Sequence, residues 1–154
     1  MTSEKKVLRV YLAGSFQKFG GWPDWRDYVI ERCTKHAIEF YNPRSETDQG
    51  CIASFVAGDL AGVRSCDVVF CYLTGSGDIG ASIECEHGRM NKKNIVLCAD
   101  KSVTVVHPFL LGIARRFLIG PDTGIQYLKY LAKAGMEHEF DAIYAVMRKS
   151  SEQA

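Results

Sequence analysis

The chain has 154 residues, of which 47% are apolar and 24% are charged, and its formal net charge is +1. This balance is typical of one globular domain that buries its own core, so we expect a single domain over residues 1–154. Basic residues form only short pairs, which argues against nucleic acid as a partner. No apolar run approaches the roughly 20 residues that cross a bilayer, which argues against a membrane.

Six cysteines lie along the chain, mostly inside apolar runs and without a C-x-x-C pair. This usage predicts buried, reduced thiols. The first residues lack the charged and then apolar pattern of a signal peptide, so we expect a cytoplasmic protein. No set of histidines and cysteines has metal-ligand spacing, and the sequence therefore predicts no metal or other cofactor.

The first half of the chain alternates between strand and helix patterns. A β-branched, apolar run over residues 7–13 predicts a buried strand, and residues 38–41 predict a second one. Between them, apolar residues recur at helical spacing after Pro23. Residues 52–63 predict another helix. The apolar face of that helix is expected to comprise Phe55, Val56, Leu60 and Val63.

The second half continues the alternation. Its predicted elements are, in order, a central strand over 67–73, a helix over 81–91, a strand over 94–99, a short helix near 109–114, a strand near 117–119, a helix from Asp122 to Gly135, and a last helix carrying Phe140, Ile143, Tyr144 and Met147. Alternating strands and helices predict an α/β fold: a single-domain, three-layer sandwich with a mostly parallel five-stranded sheet, flavodoxin-like or Rossmann-like.

Ligands of such sheets bind beyond the carboxyl ends of the strands, near the point where the strand order reverses. This rule selects the loops over residues 14–22, 42–50 and 74–80. The third loop opens the segment "GSGDIGASIECEHG" at residues 75–88, which sets a carboxylate rather than a lysine at the start of a helix. We expect Glu84 to lie near the first turn, where the helix dipole favours its ionised form. An ionised, positioned carboxylate can act as a nucleophile or base, although an exposed capping glutamate fits the spacing equally well.

Four other residues are ambiguous when taken singly. Asp78 lies in the glycine turn, Asp67 opens the central strand, and Tyr11 lies near the carboxyl end of the first strand. Arg26 follows an aromatic loop segment and is a candidate to meet a charged ligand. Each of these positions also has an ordinary structural explanation.

Three segments taken together resemble the nucleoside 2-deoxyribosyltransferase family. They are "VYLAGSF" at residues 10–16, "DLAGVRSCDVVFCYL" at residues 59–73 and "DIGASIE" at residues 78–84. The family includes transferases that exchange bases on 2'-deoxynucleosides and hydrolases that cleave the N-glycosidic bond of nucleoside 5'-monophosphates. The resemblance covers roughly residues 7 to 99.

The resemblance implies a role for each matching residue. Glu84 corresponds to the nucleophilic glutamate, Tyr11 to the tyrosine that holds it, and Asp67 to the aspartate near the departing base. Asp78 corresponds to the residue that contacts the sugar's 5'-hydroxyl. The remaining residues expected to bind substrate are Gly14, Ser15, Gly80 and Arg26.

Substrate and acceptor stay open at this point. An aspartate at position 78 would repel a phosphate dianion, which predicts a preference for an unphosphorylated nucleoside unless Ser15 and Arg26 form a phosphate pocket. The alternatives are a nucleoside 5'-monophosphate N-glycosidase and a non-catalytic nucleotide-binding module. A dinucleotide oxidoreductase is disfavoured because no G-x-G-x-x-G follows the first strand.

The resemblance also implies a homodimer or higher oligomer, because sites of this family are usually completed by a neighbouring subunit. Aromatic residues of the late helices are candidates for its interface, although the same stripe would serve equally as core. These candidates are Tyr127, Tyr130, Phe140 and Tyr144.

Overall fold

A computed structural model of the chain describes residues 6–136. These residues form one five-stranded sheet in the order β2-β1-β3-β4-β5, and every neighbouring pair is parallel. The strands are β1 (Leu8–Ala13), β2 (Ile38–Tyr41), β3 (Val68–Leu73), β4 (Asn94–Ala99) and β5 (Arg116–Ile119). This is the flavodoxin-like order, so the predicted fold class is confirmed and the strand order reverses between β1 and β3.

Within residues 6–136, six helices connect or flank the strands. They are α1 (Trp25–Arg32), α2 (Pro43–Glu46), α3 (Ile52–Ser65), α4 (Ile79–Met90), α5 (Pro108–Ile113) and α6 (Pro121–Ala134). The sequence analysis missed the single turn of α2, because Asn42-Pro43 reads equally as a stop signal and as an N-cap with Pro at the first helical position. The expected last helix lies outside the described residues.

The two central strands form because their residues are apolar on both faces. Every residue of β3 ("VVFCYL") and of β4 ("NIVLCA") is buried, as parallel strands covered by helices on both sides require. Alternate residues of β1 serve the two faces. Val10 and Leu12 pack toward α1 and α6, whereas Tyr11 and Ala13 pack toward α3, α4 and α5. The face of Tyr11 is therefore the face that holds α4.

Helix α3 packs against the sheet with part of the expected face: Val63 is buried as predicted, but Val56 is not. Val56 is 46% exposed, whereas Gly62 and Val63 are buried. A Cβ at Gly62 would lie 2.5 Å from the Tyr41 ring, so glycine allows that close approach. Because Gly62 has no side chain, the pattern of apolar residues did not mark its side of the helix as packed. Asp59 lies on this same side.

Helix α6 packs against the sheet with Tyr127 in the core, which is one of the two roles that the sequence left open for this residue, so Tyr127 is not available for a subunit interface. Tyr130 is partly exposed, and Phe140 and Tyr144 lie outside the described residues. None of the helices within residues 6–136 combines the length and hydropathy that a bilayer crossing needs.

Candidate active site

The carboxyl ends of β1 and β3 create the site, because their loops diverge where the strand order reverses. Gly14 ends β1 with a φ of +140°, and a Cβ there would lie 2.6 Å from the Tyr72 carbonyl oxygen. Glycine is therefore required where the first loop leaves the sheet. Gly80 lies exposed near the start of α4, with ordinary backbone angles and no close backbone neighbour. Its predicted contact with substrate stays a prediction.

Glu84 lies in the second turn of α4, on the side that faces β1. Its Oε2 atom is buried and has no hydrogen-bond partner among residues 6–136. Burial raises the pKa of this carboxyl to about 7, against an opposing effect of the Tyr11 hydroxyl and a further increase from Asp59. Glu84 lies in the second turn and not near the first, where the expected dipole effect is weaker, and burial favours its protonated form.

Tyr11 lies beneath that carboxyl. The side chain is fully buried in β1, and its ring stacks on Tyr41 of β2 with the centroids 5.4 Å apart. The hydroxyl interacts with Glu84 strongly enough to lower the pKa of the carboxyl, yet its geometry falls short of a full hydrogen bond. Burial and the nearby Glu84 raise the pKa of Tyr11, so the phenol stays protonated and is a donor directed at the glutamate.

Asp59 is the second carboxylate of the site, and the sequence analysis gave it no role. It lies on the packed side of α3, where its Oδ1 accepts a hydrogen bond of 2.8 Å from the Thr47 hydroxyl. Burial raises its pKa, while the Thr47 bond and the charge of Arg26 oppose the increase. The charge of Asp59 in turn raises the pKa of Glu84, so the two carboxyls share one site.

Asp78 caps the helix that carries Glu84. Its Oδ1 accepts a 2.7 Å hydrogen bond from the Ala81 N–H, and its Oδ2 accepts a 3.0 Å bond from the Ser15 hydroxyl. The hydrogen bond from Ser15 joins the loop after β1 to the loop after β3. Asp78 also raises the pKa of Glu84, so the structure brings Ser15, Asp78 and Glu84 together as predicted.

Asp67 does not reach this site, and its predicted place beside Glu84 is wrong. It precedes β3 at the amino edge of the sheet, where its Oδ2 accepts a 2.9 Å hydrogen bond from the Arg9 N–H. The six residues of β3 then separate it from the carboxyl edge by roughly 20 Å. Asp59 lies eight residues earlier, at the position of the site that Asp67 was expected to occupy. The resemblance to the family had assigned that role to Asp67.

Arg26 does not offer its guanidinium to a ligand, contrary to expectation. Its side chain is 1% exposed and pairs with the equally buried Asp24 at 3.0 Å. Its remaining donors bind main-chain oxygens of Leu12 and of the loop after β1. Ser15 likewise donates to Asp78. The two residues that would have formed a phosphate pocket are thus engaged within the protein.

The arrangement brings together groups that can act in acid–base or nucleophilic chemistry. A half-buried carboxyl with a pKa of about 7 is a stronger base and nucleophile than an exposed one, and a phenol and a second, protonatable carboxyl lie beside it. Within residues 6–136 no group of three or more His, Cys, Asp or Glu side chains is placed to hold a metal ion. Paired carboxylates of unequal environment are typical of enzymes that cleave glycosidic bonds.

Comparison with known proteins agrees with this description. Residues 7–102 match the sequence family described as "Nucleoside 2-deoxyribosyltransferase like". A 2-deoxyribosyltransferase from Bacillus psychrosaccharolyticus has a similar structure, with a TM-score of 0.62, 15% identity, and coverage of 77% of this chain and 91% of that one. A CMP N-glycosidase from Clostridium botulinum gives a TM-score of 0.54, 16% identity, and coverage of 78% and 97%. At these identities the structural likeness supports the fold. No curated protein sequence is significantly similar to the chain.

Proposed function

This chain belongs to the nucleoside 2-deoxyribosyltransferase-like family, and on that basis we propose that it cleaves the N-glycosidic bond of a 2'-deoxynucleoside and transfers the sugar. The single observation that carries the proposal is the carboxyl of Glu84, half-buried without a hydrogen-bond partner in the described part of the chain and with its pKa raised to about 7. We assign it the role of nucleophile. Asp59 is the acid and base, and Tyr11 orients the nucleophile.

In the first half-reaction, an ionised Glu84 oxygen forms a bond to C1' as the bond from C1' to the base nitrogen breaks. The electron pair of the broken bond goes to the base, and Asp59 delivers a proton to the base. Positive charge that develops on the sugar ring is stabilised by the nearby carboxylates. The product is a glycosyl ester on Glu84 and a free base.

In the second half-reaction, an acceptor attacks C1' and the bond to Glu84 breaks, so the configuration at C1' is retained overall. Asp59, now ionised, removes the proton of the acceptor. A second nucleobase as acceptor makes the protein a transferase, and water makes it a hydrolase. Tyr11 donates toward the Glu84 carboxylate and stabilises it as it leaves.

The contacts of Asp78 support an unphosphorylated substrate. Its carboxylate lies beside Ser15 at the mouth of the site, where it can accept a hydrogen bond from a sugar hydroxyl. A phosphate dianion placed there would meet Asp78, and the buried Arg26 does not extend to neutralise it. We therefore propose a nucleoside, and not a nucleoside 5'-monophosphate, as the donor.

Base release read by chromatography tests the function. Incubation with a panel of deoxynucleosides and their 5'-monophosphates should release free base from the nucleosides first, and adding a second base should yield a new nucleoside. Release without exchange would identify a hydrolase. Faster cleavage of the monophosphates would favour the N-glycosidase alternative, and binding without any release would favour a non-catalytic module.

A homo-oligomer remains part of the proposal, with a different surface from the one first expected. The outer side of α4 and the adjoining α5 expose four large apolar side chains around a groove of about 990 Å³. These side chains are Ile79, Ile83, Met90 and Phe109. Light scattering of the wild type and of Ile83→Asp tests this surface, because a dimer that uses it should dissociate in the variant.

A further inference from the structure

Asp24 and Arg26 form a buried ion pair near the site. The reaction proposed above gives this pair no role. Asp24 and Arg26 are each 1% exposed, and their closest charged atoms are 3.0 Å apart. Burying two charges costs hydration energy that the pair alone seldom returns, so further hydrogen bonds must satisfy the remaining donors and acceptors. The partners of those bonds indicate what the pair does.

The partners belong to the end of β1 and to the loop that follows it. The Arg26 Nε atom donates to the Leu12 carbonyl at 3.1 Å, and the two terminal nitrogens donate to the Gly14 carbonyl and, at 3.5 Å, to the Ser15 carbonyl. Asp24 accepts the Gln17 N–H at 3.0 Å. A planar guanidinium with fixed donor directions therefore determines the path of the chain from residue 12 to residue 17.

That path continues into the site. The Ser15 hydroxyl donates to Asp78, which caps α4 through the Ala81 N–H, and Glu84 follows one turn later. Tyr11 immediately precedes the first carbonyl that Arg26 holds. The ion pair thus connects the strand that carries the phenol to the helix that carries the nucleophile.

We propose that the Asp24–Arg26 pair is a positioning pair: it fixes the loop over residues 14–17 against the cap of α4, and it supplies the positive charge that Glu84 and Asp59 face. The inference rests on the proposed function, since it assumes that Glu84 is the nucleophile. Neither residue of the pair touches substrate.

Electrostatics supports the second half of the proposal. Arg26 lowers the pKa of both Glu84 and Asp59, although neither carboxyl is its ion-pair partner. The groups that act on Glu84 come from every element around it. They are Tyr11 of β1, Arg26 of α1, Asp59 of α3 and Asp78 at the cap of α4, and Glu84 in turn raises the pKa of the Cys71 thiol of β3. Of these groups, Asp59 and Asp78 raise the pKa of Glu84, whereas Arg26 and the Tyr11 hydroxyl lower it, so loss of the Arg26 charge removes one of the two influences that favour the carboxylate.

Direct titration of Glu84 tests the pair without any substrate. The carboxyl carbon is followed by NMR in protein labelled at glutamate side chains and is assigned with Glu84→Gln. We expect Arg26→Met to raise the pKa of Glu84 by about one unit, and Asp24→Asn to lower it, because the guanidinium then lacks its neutralising partner. Arg32→Met is the matched control, since Arg32 lies exposed at the end of the same helix, and it should leave the pKa unchanged.

If the pair acts on Glu84 through its charges, Arg26→Met and Asp24→Asn shift the pKa of Glu84 in opposite directions. If the pair only stabilises the fold, both substitutions would have the same kind of effect. Shifts of the same sign, or none, would overturn the proposal. If Arg26→Met does not fold, Asp24→Asn decides alone: a lower pKa supports the pair and an unchanged or higher one refutes it. Arg26→Lys keeps the positive charge but loses the planar set of guanidinium donors that hold the loop. The pKa of Glu84 should therefore stay the same, while kcat falls at least tenfold. A wild type that never releases base would refute the proposed function and leave the titration result intact.

Discussion

The two edges of the sheet carry similar residues in opposite states. At the carboxyl edge, Asp59 and Glu84 are partly buried and their pKa values are raised. At the amino edge, the Asp67 carboxylate accepts a hydrogen bond from the Arg9 N–H. A hydrogen-bonded carboxylate supports the strand pair, whereas carboxyls that lack full partners are available for chemistry. The difference between the edges lies in what surrounds each acid, not in residue type.

Removing Glu84 should give the largest effect. Glu84→Ala is expected to lower base release by at least about a thousandfold, because no other group forms the glycosyl ester. Glu86→Ala is the control from the same helix: Glu86 is paired with Arg89, its pKa is lowered, and it should keep nearly full activity. Initial rates of base release, measured by chromatography, check both variants. Equal losses of activity would contradict the assignment of Glu84 as the nucleophile.

The two aspartates provide the next comparison. Asp59→Asn should lower kcat by about 100- to 10,000-fold, the range for loss of a general acid. Asp67→Asn should leave kcat nearly unchanged and cost about 1 kcal/mol of unfolding free energy through the Arg9 hydrogen bond. Kinetics and urea unfolding of both variants decide. A larger fall in kcat for Asp67→Asn than for Asp59→Asn would instead support Asp67 as the aspartate near the departing base.

The pH dependence should follow Glu84. With a pKa of about 7 in the free protein, the carboxylate is lost as the pH falls through that value. We expect kcat/KM to fall about tenfold for each pH unit below this point. If kcat/KM stays constant down to pH 5, the pKa of Glu84 is close to that of an exposed glutamate, and burial does not raise it.

The smallest expected effect is on stability. The native pKa of Glu84 lies above that of the unfolded chain, so the native state binds the proton more tightly and stability falls as the pH rises from about 4.5 to 7. Glu84→Gln removes this loss and should be more stable than the wild type at pH 8 by about 1–3 kcal/mol. At pH 4 the two proteins should unfold at similar urea concentrations. A variant that is less stable at pH 8 would contradict the cost of the buried charge.

The alternation of apolar runs was enough to predict the strands, because fully buried parallel strands have unmistakable composition. Strands β2 and β4 begin and end where the sequence placed them, and β1, β3 and β5 differ by one residue at their first position. The site loops followed from topology alone. The resemblance to the family, and not topology, pointed to Glu84, Tyr11 and Asp78, which the structure brings together.

Side-chain surroundings could not be predicted in the same way. Asp59 was missed because the packed side of α3 is defined by Gly58 and Gly62, which carry no apolar signal. Arg26 was predicted to bind a ligand, but it is buried against Asp24. That burial depends on contacts between the loop after β1 and helix α1, which the sequence does not show. In both cases the deciding contact joins different elements.

The covalent step is tested most directly by mass spectrometry of the protein after reaction with a nucleoside fluorinated at C2', since fluorine there slows breakdown of the glycosyl ester. We predict that the intact mass increases by one sugar, that digestion places the sugar on Glu84, and that Glu84→Gln gains none. Base release by the wild type with no added mass, or with the sugar on another residue, would contradict the assignment of Glu84 as the nucleophile.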